Sequence, residues 1–345
     1  MGHHTIVIDP RARWLQQRHR RFIGLGFAAV LLAALVAAIV TTPDWLADAF
    51  APDKLGDLLS NVWHGWLKAV LNPWYWLLIP VLLVLERLFP AQEHGGMVSL
   101  GGALDLLWII GAPIINLTIV AGWASLLNLA YDTWFDSAEV DLASAIGTFP
   151  TALVAFVLSD FLMWFTHWVR HKVPTFWYFH AVHHAAPTLN ALTDNRVHFV
   201  EGMIAATLVV LPSRWLGLDG PAALALTIAT TYFTAFTHTA VRWNLGPLRY
   251  VLVTPQSHRV HHSFAPEHID VNFATVFSFW DILFRTQYMG WNEYPATGIA
   301  DPEFPLEKHA RPGHLVASYG RQIAYPFIQV ARDVGKYRRL RSPDP

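Results

Sequence analysis

Eighteen histidines occur in this chain, and ten of them fall between positions 167 and 262. His167 and His171 are spaced i,i+4. His180, His183 and His184 are spaced i,i+3,i+4, and His258, His261 and His262 repeat that spacing. His198 and His238 stand singly between the triplets. On a helix these spacings place side chains on one face, one turn apart. A neutral imidazole is a good ligand for iron, copper, nickel or zinc through one ring nitrogen. One ion seldom takes more than four or five protein ligands, so ten candidate histidines predict two ions. Cysteine is absent, which excludes disulfides, iron–sulfur clusters, a thiolate-ligated haem and a Cys nucleophile, and leaves N and O ligands only. His64, His94, His309 and His314 read as isolated interface histidines rather than ligands.

The elements that must carry these histidines look membranous. Of 345 residues, 54% are hydrophobic and 14% charged, with 16 Trp and 21 Phe, against about 25% charged in soluble domains. Formal net charge is −1, so no nucleic-acid partner is expected. Residues 22–42 form an uncharged run of the length that spans a bilayer. The arm before it, "RARWLQQRHRR", holds five arginines, and the pair reads as a retained anchor rather than a cleaved signal. Further apolar blocks lie near 73–89, 104–131, 145–169, 202–217 and 221–241, with the last two read as a hairpin across "LGLDGP" that crosses only in part. The expected fold is an all-α integral membrane protein: four to six membrane-embedded helices under a cytoplasmic, histidine-rich helical catalytic cap. Acidic loops at 43–60 and 132–141, set against a basic N-terminal arm, Arg170, Lys172, Arg196 and the tail "KYRRLR", place both termini and the histidines in the cytoplasm. The domain reading is a basic arm at 1–21, N-terminal spans at 22–145, a catalytic domain at 146–290 and a tail at 291–345. Residues 321–341 of that tail could lie on the membrane as an interfacial helix.

"SDFLMWFTHWVRH", "FHAVHH" and "TPQSHRVHH" resemble the three histidine boxes of the fatty acid hydroxylase/sterol desaturase superfamily of membrane di-iron proteins. "HTAVRWNLGPLRYVLVTP" and "DVNFATVFSFWDILFRT" resemble family stretches around the last box, and the spacing from His238 to His262 is similar to that of the alkylglycerol monooxygenase-like branch. The resemblance covers about residues 150–290. It implies that His167, His171, His180, His183, His184, His258, His261 and His262 are metal ligands, with His198 and His238 as further candidates. Asp160, Arg196, Glu201, Asn244, Asp270, Asn272 and Asp281 are expected to support them from behind. Trp164, Trp168, Trp177, Tyr178 and Phe179 are candidates for a lipid tunnel or, equally, for an aromatic belt at the membrane interface. Three departures stand out: Phe199 for a Pro, Arg285 for a Gly, and "MWFTH" in the first box without its usual Tyr.

The implied activity is an O2-dependent hydroxylation of a lipid C–H bond at two iron ions, with zinc able to replace them on purification. A lipid desaturase using the same site is the near alternative, and a membrane metal transporter or sensor the distant one. A transporter should carry ionisable residues along several spans, whereas the block at 104–131 holds only Asp105. With no haem, flavin or ferredoxin motif in the chain, electrons are expected from a separate redox protein or a small reductant. Arg170, Lys172 and the C-terminal basic residues could dock an acidic donor, but they read first as the positive charge of the cytoplasmic side.

Overall fold

A computed structural model describes residues 73–92, 98–135, 139–218 and 220–341, with a few isolated positions outside these stretches. The expected span at 22–42, the basic arm and the acidic loop at 43–60 lie outside the described residues. Among the described residues every regular element is helical, and the only β-type pairings are two isolated bridges, Pro90 with Val241 and Ser263 with Thr297.

The first helix, α1 (Pro73–Leu88), carries Pro80 in its interior. Next comes α2 (Leu100–Ile115), which passes through a π-helical turn, Asn116–Val120, into α3 (Ala121–Trp134). Pro113 lies just before that turn. Proline removes a backbone donor and crowds the preceding turn, and a local widening of the helix is a common response. A short α4 (Leu142–Ile146) leads into α5 (Thr148–Lys172). Among the described residues, two helices are long and apolar enough to cross a membrane: the composite Leu100–Trp134 and Thr148–Lys172. At 1.5 Å per residue, the 25 residues of α5 extend about 37 Å, enough for a tilted span.

The turn after α5 is written in the sequence. Pro174 disfavours a helical conformation for the residue before it, and Val173 is extended (φ −110°, ψ 112°). Pro174 then starts α6 (Pro174–His184), the position where its missing N–H costs nothing. The break aims the end of α5 and the body of α6 at one another. Two further helices, α7 (Phe199–Trp215) and α8 (Gly220–Thr237), follow on either side of the "LGLDGP" stretch. Then α9 (Pro255–His261) starts on a capping box, in which the Thr254 hydroxyl accepts from Ser257 N and the Ser257 hydroxyl accepts from Thr254 N. A one-turn helix, α10 (Phe279–Leu283), and the long α11 (Pro312–Arg341) complete the fold.

A buried ionic lock ties α2 to the C-terminal part of the chain. The Arg196 guanidinium donates to Asp105 of α2 at 2.7 Å, to Glu307 at 3.1 Å and to the Gly101 carbonyl at 3.3 Å. Asn190 and Thr193 also donate to Asp105. A charged residue inside an apolar block is costly unless paired, and the lock accounts for the lone Asp105 in its span. Around it pack Leu104, Trp108, Ala181, Val182, Phe304 and Tyr325.

Candidate metal centre

The histidines meet in two groups. Five nitrogens, one each from His167, His171, His180, His184 and His261, all lie within 4.8 Å of one another. Four more, from His183, His238, His258 and His262, meet the same limit. Helix geometry explains how the boxes are shared. Each residue turns about 100°, so i and i+4 differ by about 40° while i+3 swings about 60° to the other side. The i,i+4 pair His180/His184 therefore serves the first group and His183 the second. In α9 the pattern is exchanged: His258 and His262 serve the second group, and His261 the first. The groups adjoin, with the His184 and His262 rings stacked at 4.3 Å between centroids.

The donor set fits bound cations. The His180 Nδ1–H donates to Glu201 at 2.8 Å, which leaves a lone pair on Nε2, and that atom lies 3.1 Å from Nε2 of His184. The His238 Nδ1–H donates to the Thr234 carbonyl, and its Nε2 faces those of His183 at 3.0 Å and His258 at 2.9 Å. Lone pairs brought together in this way repel unless a cation lies between them. Adjacent ligands on an ion with metal–nitrogen bonds near 2.1 Å sit about 3.0 Å apart in octahedral geometry. Nε2 of His167, His171 and His261 is buried with no protein partner, as expected of ligand atoms. Burial pushes the imidazoles of His183, His184, His258 and His262 well below the usual histidine range, and their neighbouring imidazoles add to the effect. His261 falls to about 3, chiefly through burial, although the Val271 carbonyl opposes the shift. Neutral imidazole is the form that binds metal.

Hydrogen bonds from behind fix the ring tautomers, as is usual at histidine metal sites. His167 donates to the Phe273 carbonyl and His261 to the Val271 carbonyl, each at 2.7 Å. Glu201 takes both His180 and Arg170, and Asp194 lies 3.3 Å from His238 Nδ1. Of the residues expected to support the ligands, only Glu201 bonds one directly. Asp270, 4.0 Å from His171, pairs with Lys172. Asp281 acts one step further back, accepting from Phe273 N, Ala274 N, Trp164 Nε1 and the Thr286 hydroxyl, so that it positions the carbonyl that holds His167. Asp160 bonds Val276 N, Phe277 N and Trp280 Nε1, and Asn272 bonds Ser257 O and Tyr288 N. Arg196 belongs to the ionic lock, and Asn244 caps a turn by bonding Trp291 O and Gly246 N.

Three expectations are placed elsewhere by the structure. His198 belongs to neither group: it caps α7, with Nδ1 accepting from Val200 N and Nε2 3.1 Å from the Ile323 carbonyl. Its motif companions Arg196 and Glu201 face different clusters. Arg170 is held against Glu201 and is largely buried, so it does not present a docking charge. The five aromatic candidates do not line the cavity that reaches the histidines. Trp164 stacks on Phe284, Trp168 on Phe165, and Phe179 packs against His198 and Phe327. Tyr178 donates to Asp333, and Trp177 packs at a tilt against His171 and His184. His309 and His314 pack on each other, apart from both groups.

The cavity, about 300 Å³, lies between α5, α7 and α8. Phe156, Met163, Ala205 and Val209 give it apolar walls, Thr227, Thr231 and Thr234 line it along α8, and His183, His238 and His258 close its inner end. Sequence reading missed Asp194, Thr234 and the carbonyls of Val271 and Phe273. A backbone carbonyl leaves no trace in residue type, whereas Asp194, four residues before His198, was visible as a charge beside a candidate ligand.

Comparison with known proteins agrees with this site. Residues 152–286 match the family model described as fatty acid hydroxylase. An ornithine lipid hydroxylase from Rhizobium tropici is 29% identical over 52% of this chain and 51% of its own length. Alkylglycerol monooxygenases from Homo sapiens and Xenopus tropicalis are 45% and 49% identical over 19% and 14% of this chain, and 14% and 11% of theirs. The chain thus spans about half the length of the first relative and much less of the others. No solved structure matches the chain.

Proposed function

We propose, from the match of residues 152–286 to the fatty acid hydroxylase family model, that this protein is a multi-pass membrane monooxygenase that hydroxylates a C–H bond of a lipid. The reading is carried by one observation: nine buried histidine nitrogens converge in two adjoining groups at the inner end of a cavity with apolar walls. His167, His171, His180, His184 and His261 would hold one ion, and His183, His238, His258 and His262 the other. Two iron ions held there would supply the activation of O2 that an unactivated C–H bond requires. One oxygen atom enters the lipid as a hydroxyl and the other leaves as water, with two electrons and two protons drawn from an external redox protein or small reductant.

The chain's own part is positional. Phe156, Met163, Ala205 and Val209 admit a lipid tail and keep bulk water from the site. Glu201, Asp194 and the carbonyls of Phe273, Val271 and Thr234 hold the imidazoles in the ligating tautomer. Spans at Leu100–Trp134 and Thr148–Lys172, with the histidine cap and both termini on the cytoplasmic side, would bring the cavity to the membrane lipid.

The test pairs metal content with lipid analysis. The wild-type chain from iron-supplemented cells should carry close to two ions and add one oxygen atom to a membrane lipid. Ala205→Phe, which fills the cavity, should keep the metal and lose the product. Loss of two hydrogens without added oxygen would assign desaturation instead, and metal-loaded protein that leaves every lipid unchanged would overturn the reading.

A further inference from the structure

Residues 276–285, downstream of the last histidine box, pack against the apolar side of α5. Phe277, Trp280 and Phe284, on or beside α10, pack on the flank of α5: Phe277 against Phe156 at 5.6 Å, Trp280 against Phe161 at 5.0 Å, and Phe284 against Trp164 at 4.2 Å between centroids. Phe161 lies eleven residues before the end of α5 at Lys172, on the order of 16 Å along the helix axis. If α5 spans the bilayer, α10 therefore sits alongside its hydrocarbon-embedded part. On the same flank of α5, Leu153, Val157 and Phe165 are exposed, at four-residue spacings on either side of Phe161. The outward side of α10 continues that stripe with Ile282, Leu283 (64% exposed) and Phe284.

At its root the segment's backbone meets the condition that hydrocarbon imposes. Non-helical chain at membrane depth survives only where its polar groups are satisfied within the protein. The Asp160 carboxylate, itself on α5, accepts from Val276 N at 2.9 Å, Phe277 N at 3.0 Å and Trp280 Nε1 at 3.1 Å. Asp281 accepts from Phe273 N and Ala274 N, both at 2.9 Å. Ser278 stitches the segment to the neighbouring turn Gly246–Tyr250 through the carbonyls of Arg249 and Val251, and Leu248 and Val251 of that region are also exposed. At the rim, Arg249 lies over the rings of Tyr250 and Trp291, and exposed Arg285 closes α10 in the left-handed region (φ 59°). Aromatic rings with arginines are what a lipid headgroup zone selects.

We infer that residues 276–285 form a re-entrant wedge whose outward face contacts the acyl chains of the membrane leaflet beside α5. This inference rests on the reading of α5 as a span and is independent of the reaction catalysed. Phe273, three residues before the wedge, holds His167 through its carbonyl.

The chain has no cysteine, so a single substitution gives a unique labelling site. Full-length protein carrying a nitroxide at Leu283→Cys is reconstituted in phosphatidylcholine vesicles, and its accessibility to O2 and to a water-soluble nickel chelate is measured. Leu153→Cys on α5 and Lys308→Cys, exposed on the tail, serve as the hydrocarbon and aqueous references. The wedge predicts an O2-to-nickel ratio at position 283 several-fold above that at 308 and close to that at 153. A water-like ratio at 283 with a hydrocarbon-like one at 153 overturns the wedge while leaving the span intact. Poor access to both probes at 283 assigns a protein partner instead and equally overturns it. Water-like ratios at both 153 and 283 would show that the span itself had been misread, and the wedge with it.

Discussion

The five-nitrogen and four-nitrogen groups share the second and third boxes yet are held differently. In the first, three rings are tied from behind to fixed acceptors: His167 to Phe273, His261 to Val271 and His180 to Glu201. In the second, only His238 has such ties, to Thr234 and Asp194, while Nδ1 of His183, His258 and His262 has no protein partner. Three of the four rings of the second group also face the cavity, whereas only two of the five in the first do. The first group is the better clamped and the second the more open, so an ion in the second should be held more weakly and met first by whatever enters the cavity.

Removing one ligand from each group is the hardest test of that contrast. His258→Ala leaves three nitrogens in the second group, and His261→Ala leaves four in the first. Both should lower product formation by more than about 100-fold, beyond the range seen when only an outer contact is lost. Metal content should separate them, with His258→Ala falling toward one ion per chain and His261→Ala retaining more. Equal loss of metal in the two variants would break the comparison.

A milder pair probes the supports. Glu201→Gln keeps an acceptor for His180 but leaves the buried Arg170 guanidinium without its countercharge. Resistance to a chelator should fall roughly 10- to 100-fold. Asp194→Asn should cost less, because His238 keeps its bond to the Thr234 carbonyl. The reverse order, read from metal loss over time, would mean that the second group is the one that depends on its carboxylate.

Protonation gives a third handle. Burial lowers the pKa values of the cap histidines, His261 to about 3. The metal-free unfolded chain then binds more protons than the folded one below the ordinary histidine value near 6.5, and stability rises with pH across that window. Metal-free protein in detergent should be at full stability above about pH 6.5 and lose several degrees of melting temperature toward pH 5. A melting temperature that is flat over that window would show that these imidazoles are not desolvated. In the metal-loaded protein, acid should strip the four-nitrogen group first, since protons and metal compete for the same nitrogens.

How much of this was readable follows from what each feature depends on. Helical spacing identifies the box histidines because i,i+3,i+4 is a property of the chain itself. The apolar blocks at 104–131 and 145–169 likewise reappear in Leu100–Trp134 and Thr148–Lys172. Which group each histidine joins depends on how α6 and α9 face one another, and no local pattern carries that. The aromatic residues near the boxes read equally as tunnel walls or as an interfacial belt, and Trp164 and Phe179 pack against neighbouring rings. The cavity instead runs past Ala205, Gly202 and the α8 threonines, because room for a ligand appears where side chains are small. Arg196 and Glu201 flank His198 in sequence, but Arg196 sits in a loop and Glu201 in the first turn of α7, so the chain turns them toward different partners.

His198→Ala is the smallest of these perturbations and the one that defines the edge of the site. Its Nδ1 accepts from Val200 N at the start of α7, and its Nε2 meets the Ile323 carbonyl of α11. Neither nitrogen is free to ligate an ion, and the ring packs between Phe179 and Phe327. Truncation therefore removes an N-cap and a contact between helices, at a cost of roughly 0.5–2 kcal/mol in stability. Metal per chain should stay at the wild-type value, and activity at a temperature well below melting should change less than twofold. Because α7 also carries Glu201, any loosening of its first turn should first appear as faster metal release from the five-nitrogen group. Loss of a whole ion in His198→Ala at full folding would instead make His198 a tenth ligand, and would require the turn at Val197–Phe199 to rearrange when metal binds.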